Sequence, residues 1–406
     1  MEQSVTPKKH WKKTLLCLIL AAAILMFALV IVIFALWHNE IGSLTSMTLL
    51  RERDDSHQDG AVYSMDIKGG FYLDAFIAQG GAKSDRELIS FITGNITKGL
   101  IPMNISESEI SCSSFTAATE DGDRLFARNY DFSKTNTCIV RTQANEGRHA
   151  SISTVDLQFL GLDVDQNIDG LVDRITCLAV PYIPLDGIND VGVACGIYMT
   201  YQGDGVPTDQ NTDRPDLTST TLLRLILDYA DDVEEAVEIA SSYDLHDSAK
   251  TSYHYMVADA SGKSAILEWV GASGGAEDTD GSKRELVVTY NDADSHIGTA
   301  EGVSDYQWIT NFILQPGYYQ SDEQKKGYDR YQRISQELAR TDGVVADESA
   351  AMDILSIVGR RKWDNDDGNS CTVHSVIYNL TDRSVLWVPN EHYNESGAAY
   401  CFDFNS

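Results

Sequence analysis

Cys112, Arg128 and Asp131 are the residues of this chain whose types and spacing could do chemistry together. They lie in one stretch, Cys112-Ser-Ser-Phe-Thr-Ala-Ala-Thr-Glu-Asp-Gly-Asp-Arg-Leu-Phe-Ala-Arg-Asn-Tyr-Asp-Phe132. Strand-like runs at 111–119 and 124–131 flank Glu120-Asp121-Gly122-Asp123, a strong turn sequence, and predict a hairpin. A tight hairpin folds its two ends back beside each other, so a thiol, a guanidinium and a carboxylate should meet. The thiolate is the reactive form of cysteine, and a nearby arginine lowers the thiol pKa. On these residues alone a structural reading stays open. A buried cysteine often packs as a small hydrophobe, and Arg with Asp at a strand end can be a plain ion pair.

The stretch resembles the start of the choloylglycine hydrolases, or linear amide C–N hydrolases, which include bile salt hydrolases and penicillin V acylases. Their pattern is Cys at the mature N-terminus, an Asp-Gly turn and then Arg-Asn-x-Asp, with sixteen positions from Cys to Arg, as from Cys112 to Arg128. Further segments resemble the family in order. Asp186-Gly187-Ile188-Asn189-Asp190-Val191-Gly192-Val193 looks like its Gly-x-Asn-Glu-x-Gly-Leu segment. His254-Tyr255-Met256-Val257-Ala258-Asp259, with Gly262-Lys263-Ser264 and Glu268, resembles its central hairpin. Thr310-Asn311-Phe312 resembles the segment supplying an oxyanion-hole asparagine, although Asn291, in Val-Thr-Tyr-Asn, competes for that place. Gly327-Tyr328-Asp329-Arg330-Tyr331 resembles the segment giving a second active-site arginine. The resemblance covers about residues 112–390.

The resemblance implies an α+β fold, an N-terminal-nucleophile αββα sandwich of antiparallel sheets, acting on linear amides without a cofactor. It implies roles too. The α-amine of Cys112, freed by cleavage before it, would act as base, since such an amine titrates near 7.7–8.0. The thiolate would attack the amide carbon. Asp131 would hold the amine, Arg128 would favour thiolate, Asn311 would donate to the oxyanion and Arg330 would support the charge network. Two departures matter. Relatives expose the cysteine by removing the initiator Met or a short prosequence, whereas 111 residues precede Cys112. Activation would therefore need an internal cut at Ser111–Cys112, autocatalytic through an N-to-S shift. Second, Gly196-Ile197-Tyr198 puts Tyr198 where bile salt hydrolases have an oxyanion-hole Asn. Penicillin V acylases carry Tyr there, which tilts the expected substrate away from bile salts; Tyr198 as a mere strand residue is the alternative.

The rest of the chain narrows the class. No His-Glu-x-x-His, Cys-x-x-Cys, phosphate-cradling Gly-x-x-x-x-Gly-Lys-Ser/Thr or Gly-x-Ser-x-Gly motif occurs. The acidic stretches 163–169 and 364–367 do not fit an EF-hand loop and read as solvated loops. A formal net charge of −30 argues against nucleic acid, whose binding needs Lys and Arg on phosphates. Residues 14–37 hold no charged side chain and are preceded by Lys8, Lys9, Lys12 and Lys13. That is long enough to span a bilayer, and the lysines should stay cytoplasmic. The expected organisation is a basic cytoplasmic tail at 1–13 and a transmembrane anchor at 14–37. A flexible juxtamembrane stalk follows at 38–65, a propeptide-like segment at 66–111 and an extracytoplasmic hydrolase domain at 112–406. Asn-x-Ser/Thr triplets at Asn95, Asn104, Asn379 and Asn394 would suit a lumenal protein. With Cys112 a free nucleophile and Cys17 in the membrane run, five cysteines remain, so at least one more is unpaired.

The elements that must position these residues are also legible. Ser84 and Glu87 have capping-box spacing, with Leu88, Phe91, Ile92, Ile96 and Leu100 at helical intervals after them. Val191–Thr200 reads as a strand. Hairpins are expected at 253–270 and 374–388. Helices are expected at 222–240, broken near Asp231, and at 331–339 and 347–359. The preferred reading is an anchored acylase of small N-acyl amides, with a homo-oligomer left open. An amidase of N-acylethanolamines or ceramide, or a dipeptidase, is the nearer alternative; an uncut surface protein that binds acyl ligands without turnover is the other.

Overall fold

A computed structural model describes residues 10–99, 110–145, 147–200, 206–271, 279–292, 306–362 and 371–405. The acidic stretch 364–367, Asn104 and residues 1–9 of the basic tail lie outside them. Two β-sheets make the body. One has nine strands, in the order Thr48–Arg51, Val62–Ile67, Thr137–Thr142, Ser151–Asp156, Asp186–Asn189, Ala194–Thr200, Ser252–Ala258, Ser264–Gly271 and Arg284–Tyr290. The other runs Trp308–Ile309, Ser111–Thr119, Arg124–Phe132, Cys371–Asn379, Ser384–Pro389 and Tyr400–Asp403, with Val344–Val345 pairing parallel to Ser111–Thr119. All other pairings in the two sheets are antiparallel except that of Val62–Ile67 with Thr137–Thr142.

Side-chain alternation along the strands sorts the layers. In the hairpin, Phe115, Ala117, Leu125 and Ala127 pack with Ile334 and Leu338 of the helix Tyr328–Ala339 and Leu355 of the helix Glu348–Ile357. The alternate residues Ser114, Arg128 and Tyr130 reach across to the other sheet. Trp387 Nε1 likewise donates to Thr154 Oγ1 at 3.3 Å. Helices Ser219–Tyr229 and Val233–Ser242 cover the far face of the nine-stranded sheet. The result is a helix–sheet–sheet–helix sandwich, the expected α+β layering. Both faces of Arg124–Phe132 are covered, which is why it is buried along nearly its whole length.

The expected hairpins and helices are present, with the break between the middle helices at 230–232. Ser84 caps the helix Asp85–Asn95, its Oγ accepting from the Glu87 N–H at 3.3 Å. Asn379 is fully buried and its Nδ2 donates to Glu348 at 2.6 Å, so that triplet has no room for a glycan. All seven cysteines are free thiols.

The stretch before the hairpin departs from expectation. One helix, His10–Ser46, is long and apolar enough to cross a membrane. It is interrupted at Trp37 (φ −131°, ψ 23°) and continues past the expected end of the span. Beyond Trp37 it packs on the strand Val62–Ile67, with the Lys68 N–H donating to Ser43 Oγ at 2.8 Å. Residues 38–65 are thus not a flexible stalk. They carry the end of the helix, the edge strand Thr48–Arg51 and most of its neighbour Val62–Ile67, tied down by Arg361 on Asp59 (2.6 Å) and Tyr400 Oη on the Leu50 carbonyl (3.1 Å). Their polar composition reflects an edge with one wet face, which looks like a linker in sequence.

Candidate active site

Cys112 is the second residue of its strand and is fully buried. Arg128, opposite Ser114 in the register, turns its side chain to the same inner face. Its Nη2 donates to Cys112 Sγ at 3.3 Å and to the Ile197 carbonyl at 2.7 Å. Its Nη1 donates to the Leu185 carbonyl at 2.7 Å, and Nε lies 3.2 Å from Asp186 Oδ2. Asp186 in turn accepts from His374 Nε2 at 2.9 Å and Tyr378 Oη at 2.5 Å. A buried arginine is tolerated only when its charge and donors are met this completely. Removing one side of such a pair costs about 3–5 kcal/mol. Burial would raise the Asp186 pKa, but His374 and Arg128 outweigh it and hold the carboxyl below its ordinary value. Gly196 makes the room, since a Cβ there would lie 2.3 Å from Arg128 Nη1.

A second set of contacts surrounds the Cys112 backbone. Its N–H donates to Asn311 Oδ1 at 2.8 Å, and its carbonyl accepts from Arg330 Nη1 at 2.7 Å. Arg330 also bonds Asp131 Oδ2 (3.1 Å) and, through Nη2, Asn311 Oδ1 (2.9 Å). Thr372 Oγ1 donates to Asp131 Oδ1 at 2.7 Å. The Asn311 oxygen thus faces two donors while its Nδ2 donates to the Met199 carbonyl at 2.9 Å, which fixes the orientation of the amide. These contacts use one of the two N–H groups of that amide. Gly327, with φ of +74°, lets the helix start against the Arg330 guanidinium, where a Cβ would lie 2.6 Å from Nη2.

Five of the six expected residues, Cys112, Arg128, Asp131, Asn311 and Arg330, therefore form one continuous hydrogen-bonded network. Tyr198 stands beside it differently. Its ring lies under the Arg128 guanidinium at 4.7 Å, and its hydroxyl donates to Ser114 Oγ at 2.5 Å. Asn291 is elsewhere, pinning the turn of the Ser252–Gly271 hairpin through the Ser264 N–H and the Gly262 carbonyl.

One pair escaped sequence reasoning as a functional element. His254 Nδ1 lies 3.0 Å from Glu268 Oε1, and its Nε2 lies 2.8 Å from the Thr310 carbonyl. Both ring nitrogens face oxygens. Glu268 also accepts from the Leu314 and Gln315 N–H groups at 2.8 and 3.2 Å. The pair clamps the loop that carries Asn311 from both sides. Its signal in sequence was only the cross-strand spacing of His254 and Glu268, which the register places opposite each other.

Burial pushes the Cys112 thiol up to about 11, with Arg128 and Arg330 pulling down and Asp131 and Asp186 pushing up. With its N-terminal peptide bond intact, the thiol is protonated near neutral pH. A base is needed to make the thiolate.

Residues 112–273 match the family described as linear amide C–N hydrolases, choloylglycine hydrolase family, and the match begins at Cys112 itself. The matched segment covers less than half of the chain. A search of curated proteins found no match. Among solved structures, the chain is similar to a mutant conjugated bile acid hydrolase from Clostridium perfringens, at 16 % identity over 72 % of this chain and 92 % of that one, TM-score 0.46. It is also similar to penicillin V acylase from Agrobacterium tumefaciens, at 15 % identity over 73 % and 87 %, TM-score 0.45. A third is the N-acylethanolamine-hydrolyzing acid amidase ortholog of Caenorhabditis elegans, at 14 % identity over 72 % and 100 %, TM-score 0.39.

Proposed function

We propose that this chain is a hydrolase of linear amides, a membrane-anchored acylase of N-acyl amides whose nucleophile is Cys112, exposed by cleavage of the Ser111–Cys112 bond. The observation that carries the reading is the convergence on one residue of two separate sets of groups. Arg128 meets the thiol, while Asn311 and Arg330 hold the backbone nitrogen and carbonyl. A structural cysteine needs its backbone groups paired, but not by an asparagine and an arginine that are themselves joined to each other and to Asp131.

In the uncut chain Cys112 Sγ attacks the Ser111 carbonyl carbon. The C–N bond breaks, the thiol proton passes to the departing nitrogen, which leaves as a free amine, and water hydrolyses the thioester. In the mature enzyme that amine, held by Asn311 Oδ1, takes the thiol proton as Sγ attacks the substrate carbonyl. The amine then protonates the leaving nitrogen, and water releases the acid. Asn311 Nδ2 donates to the oxyanion through its remaining N–H, and Arg330 orients both Asn311 and Asp131. Tyr198 supports a penicillin V acylase-like preference over bile salts. Residues 66–111 act as the propeptide-like segment, 112–406 as the hydrolase domain, and Lys8–Lys13 keep the N-terminus cytoplasmic.

Mass spectrometry of the purified full chain tests the first step: a fragment beginning at Cys112 is expected, and an intact active chain overturns it. A panel of penicillin V, glycine-conjugated bile salts, N-acylethanolamines and N-acyl amino acids then ranks substrates.

A further inference from the structure

Ile110 is two residues before the nucleophile and is almost wholly buried. Its side chain is one wall of an apolar cavity whose other walls include Phe159, Ile183, Leu185, Ile197 and Tyr253, with about 40 Å³ of room left over. The cavity borders the chemistry. The carbonyls of Leu185 and Ile197 hold the same Arg128 guanidinium that touches Cys112 Sγ. Ser219, Thr220 and Ser248 line it too, but its wall is mainly apolar, and such a cavity favours hydrocarbon over a charged group.

We propose that this cavity is the acyl-binding pocket of the mature enzyme, filled in the uncut chain by the precursor's own Ile110. The inference rests on cleavage at Ser111–Cys112. Self-cleavage and substrate hydrolysis then pass through the same kind of thioester on the same sulfur. In the first, the acyl group on that sulfur ends in Ile110-Ser111. In the second, it is the acyl part of the substrate. Whatever holds the acyl group in one reaction is in place to hold it in the other. The Ile110 Cβ is about five bonds beyond the Ser111 carbonyl carbon, counted along the chain. The pocket therefore selects N-acyl amides whose acyl part puts aliphatic bulk about that far from the scissile carbonyl, such as hexanoyl or octanoyl groups. Acetyl amides fall short of it. It also follows that the uncut chain blocks its own substrate site, and that Ile110 must leave the cavity before turnover begins.

Ile183 is the residue to change, since it lines the cavity without holding Arg128. The full chain in detergent is assayed two ways. Mass spectrometry follows the appearance of the Cys112 terminus. Turnover is measured on acetyl, butanoyl, hexanoyl and octanoyl amides of one amine. Wild type should prefer hexanoyl over acetyl by about 10- to 200-fold or more in kcat/KM, the range an apolar pocket gives for small differences in hydrocarbon. Ile183→Trp, filling the pocket, should erase that preference, with kcat/KM referred to the chains that begin at Cys112, and slow the appearance of the Cys112 terminus. Ile183→Ala, enlarging it, should move the optimum to longer chains, and guards against a Trp variant that misfolds. A wild-type preference that neither variant shifts, in chains that do begin at Cys112, overturns the pocket alone. An active chain never cut at Cys112 overturns the cleavage reading and the pocket with it.

Discussion

Two of the buried cysteines, Cys112 and Cys371, both face an arginine. Arg128 meets Cys112, and Arg361 interacts with Cys371. Burial pushes the first thiol up to about 11 and the second up to about 12, so the thiol–guanidinium contact by itself does not separate them. What separates them is the company each arginine keeps. Arg128 is sealed inside the sandwich on two backbone carbonyls and Asp186. Arg361 is partly exposed and shared with Asp59, joining the edge strands to the C-terminal part of the molecule. Around Cys112 the backbone is gripped as well, by Asn311 and Arg330. A nucleophile whose base is its own amine is marked by what surrounds that nitrogen more than by what touches the sulfur.

Exchanging the two thiols gives the largest expected effect. Cys112→Ala should abolish both appearance of the Cys112-type terminus and amide turnover, a loss of at least about 10⁴-fold in kcat, as for other nucleophile deletions. Cys371→Ala should keep turnover within about threefold. Equal losses, at equal folded yield, would make both cysteines structural. Next in size is Asn311→Ala, which leaves Cys112 and Arg128 in contact but removes the grip on nitrogen and an oxyanion donor. It should lower kcat by about 10²–10³-fold. An unchanged kcat would mean the thiol environment is enough after all.

Much of this was legible because it is local. The hairpin 111–132 shows itself through the turn at Glu120–Asp123 and alternation on either side, and a hairpin obliges its ends to meet. Asn311 and Arg330 lie 199 and 218 residues from Cys112, and no periodicity links them to it. They came from resemblance. Two things were hidden for physical reasons. Val62–Ile67 pairs with Thr137–Thr142 in parallel across a long sequence gap, which leaves no turn signal between partners. The clamp of His254 and Glu268 on residues 310–315 depends on side chains crossing from a strand pair to a remote loop. Glu268→Gln should loosen that loop and lower kcat by about tenfold with little change in KM, measured beside Asn311→Ala.

Alkylation against pH separates the two thiols without touching either. A thiol with a raised pKa is thiolate only above that value, so its reactivity falls away on the acid side. In the uncut chain, both Cys112 and Cys371 should react with iodoacetamide slowly at pH 8 and faster only toward pH 11. After cleavage, Cys112 alone should gain reactivity near pH 8, where its new amine titrates. Peptide mapping of the labelled sites reads both at once. A Cys112 that reacts fast near neutrality before cleavage would sink the requirement for the amine.

The smallest effect concerns stability. An unfolded cysteine ionises near 8.5, whereas folded Cys371 is held up to about 12 by burial. Between those values the unfolded chain gives up a proton that the folded chain keeps. The contribution of this thiol to stability is therefore full below about pH 8.5 and is lost as pH rises toward about 12. Cys371→Ala removes that dependence, so denaturant midpoints of variant and parent should diverge in slope above about pH 9, with the variant falling less steeply. Parallel curves to pH 11 would mean that Arg361 carries the thiolate in the folded protein, and that Cys371 is closer in character to Cys112 than their surroundings suggest.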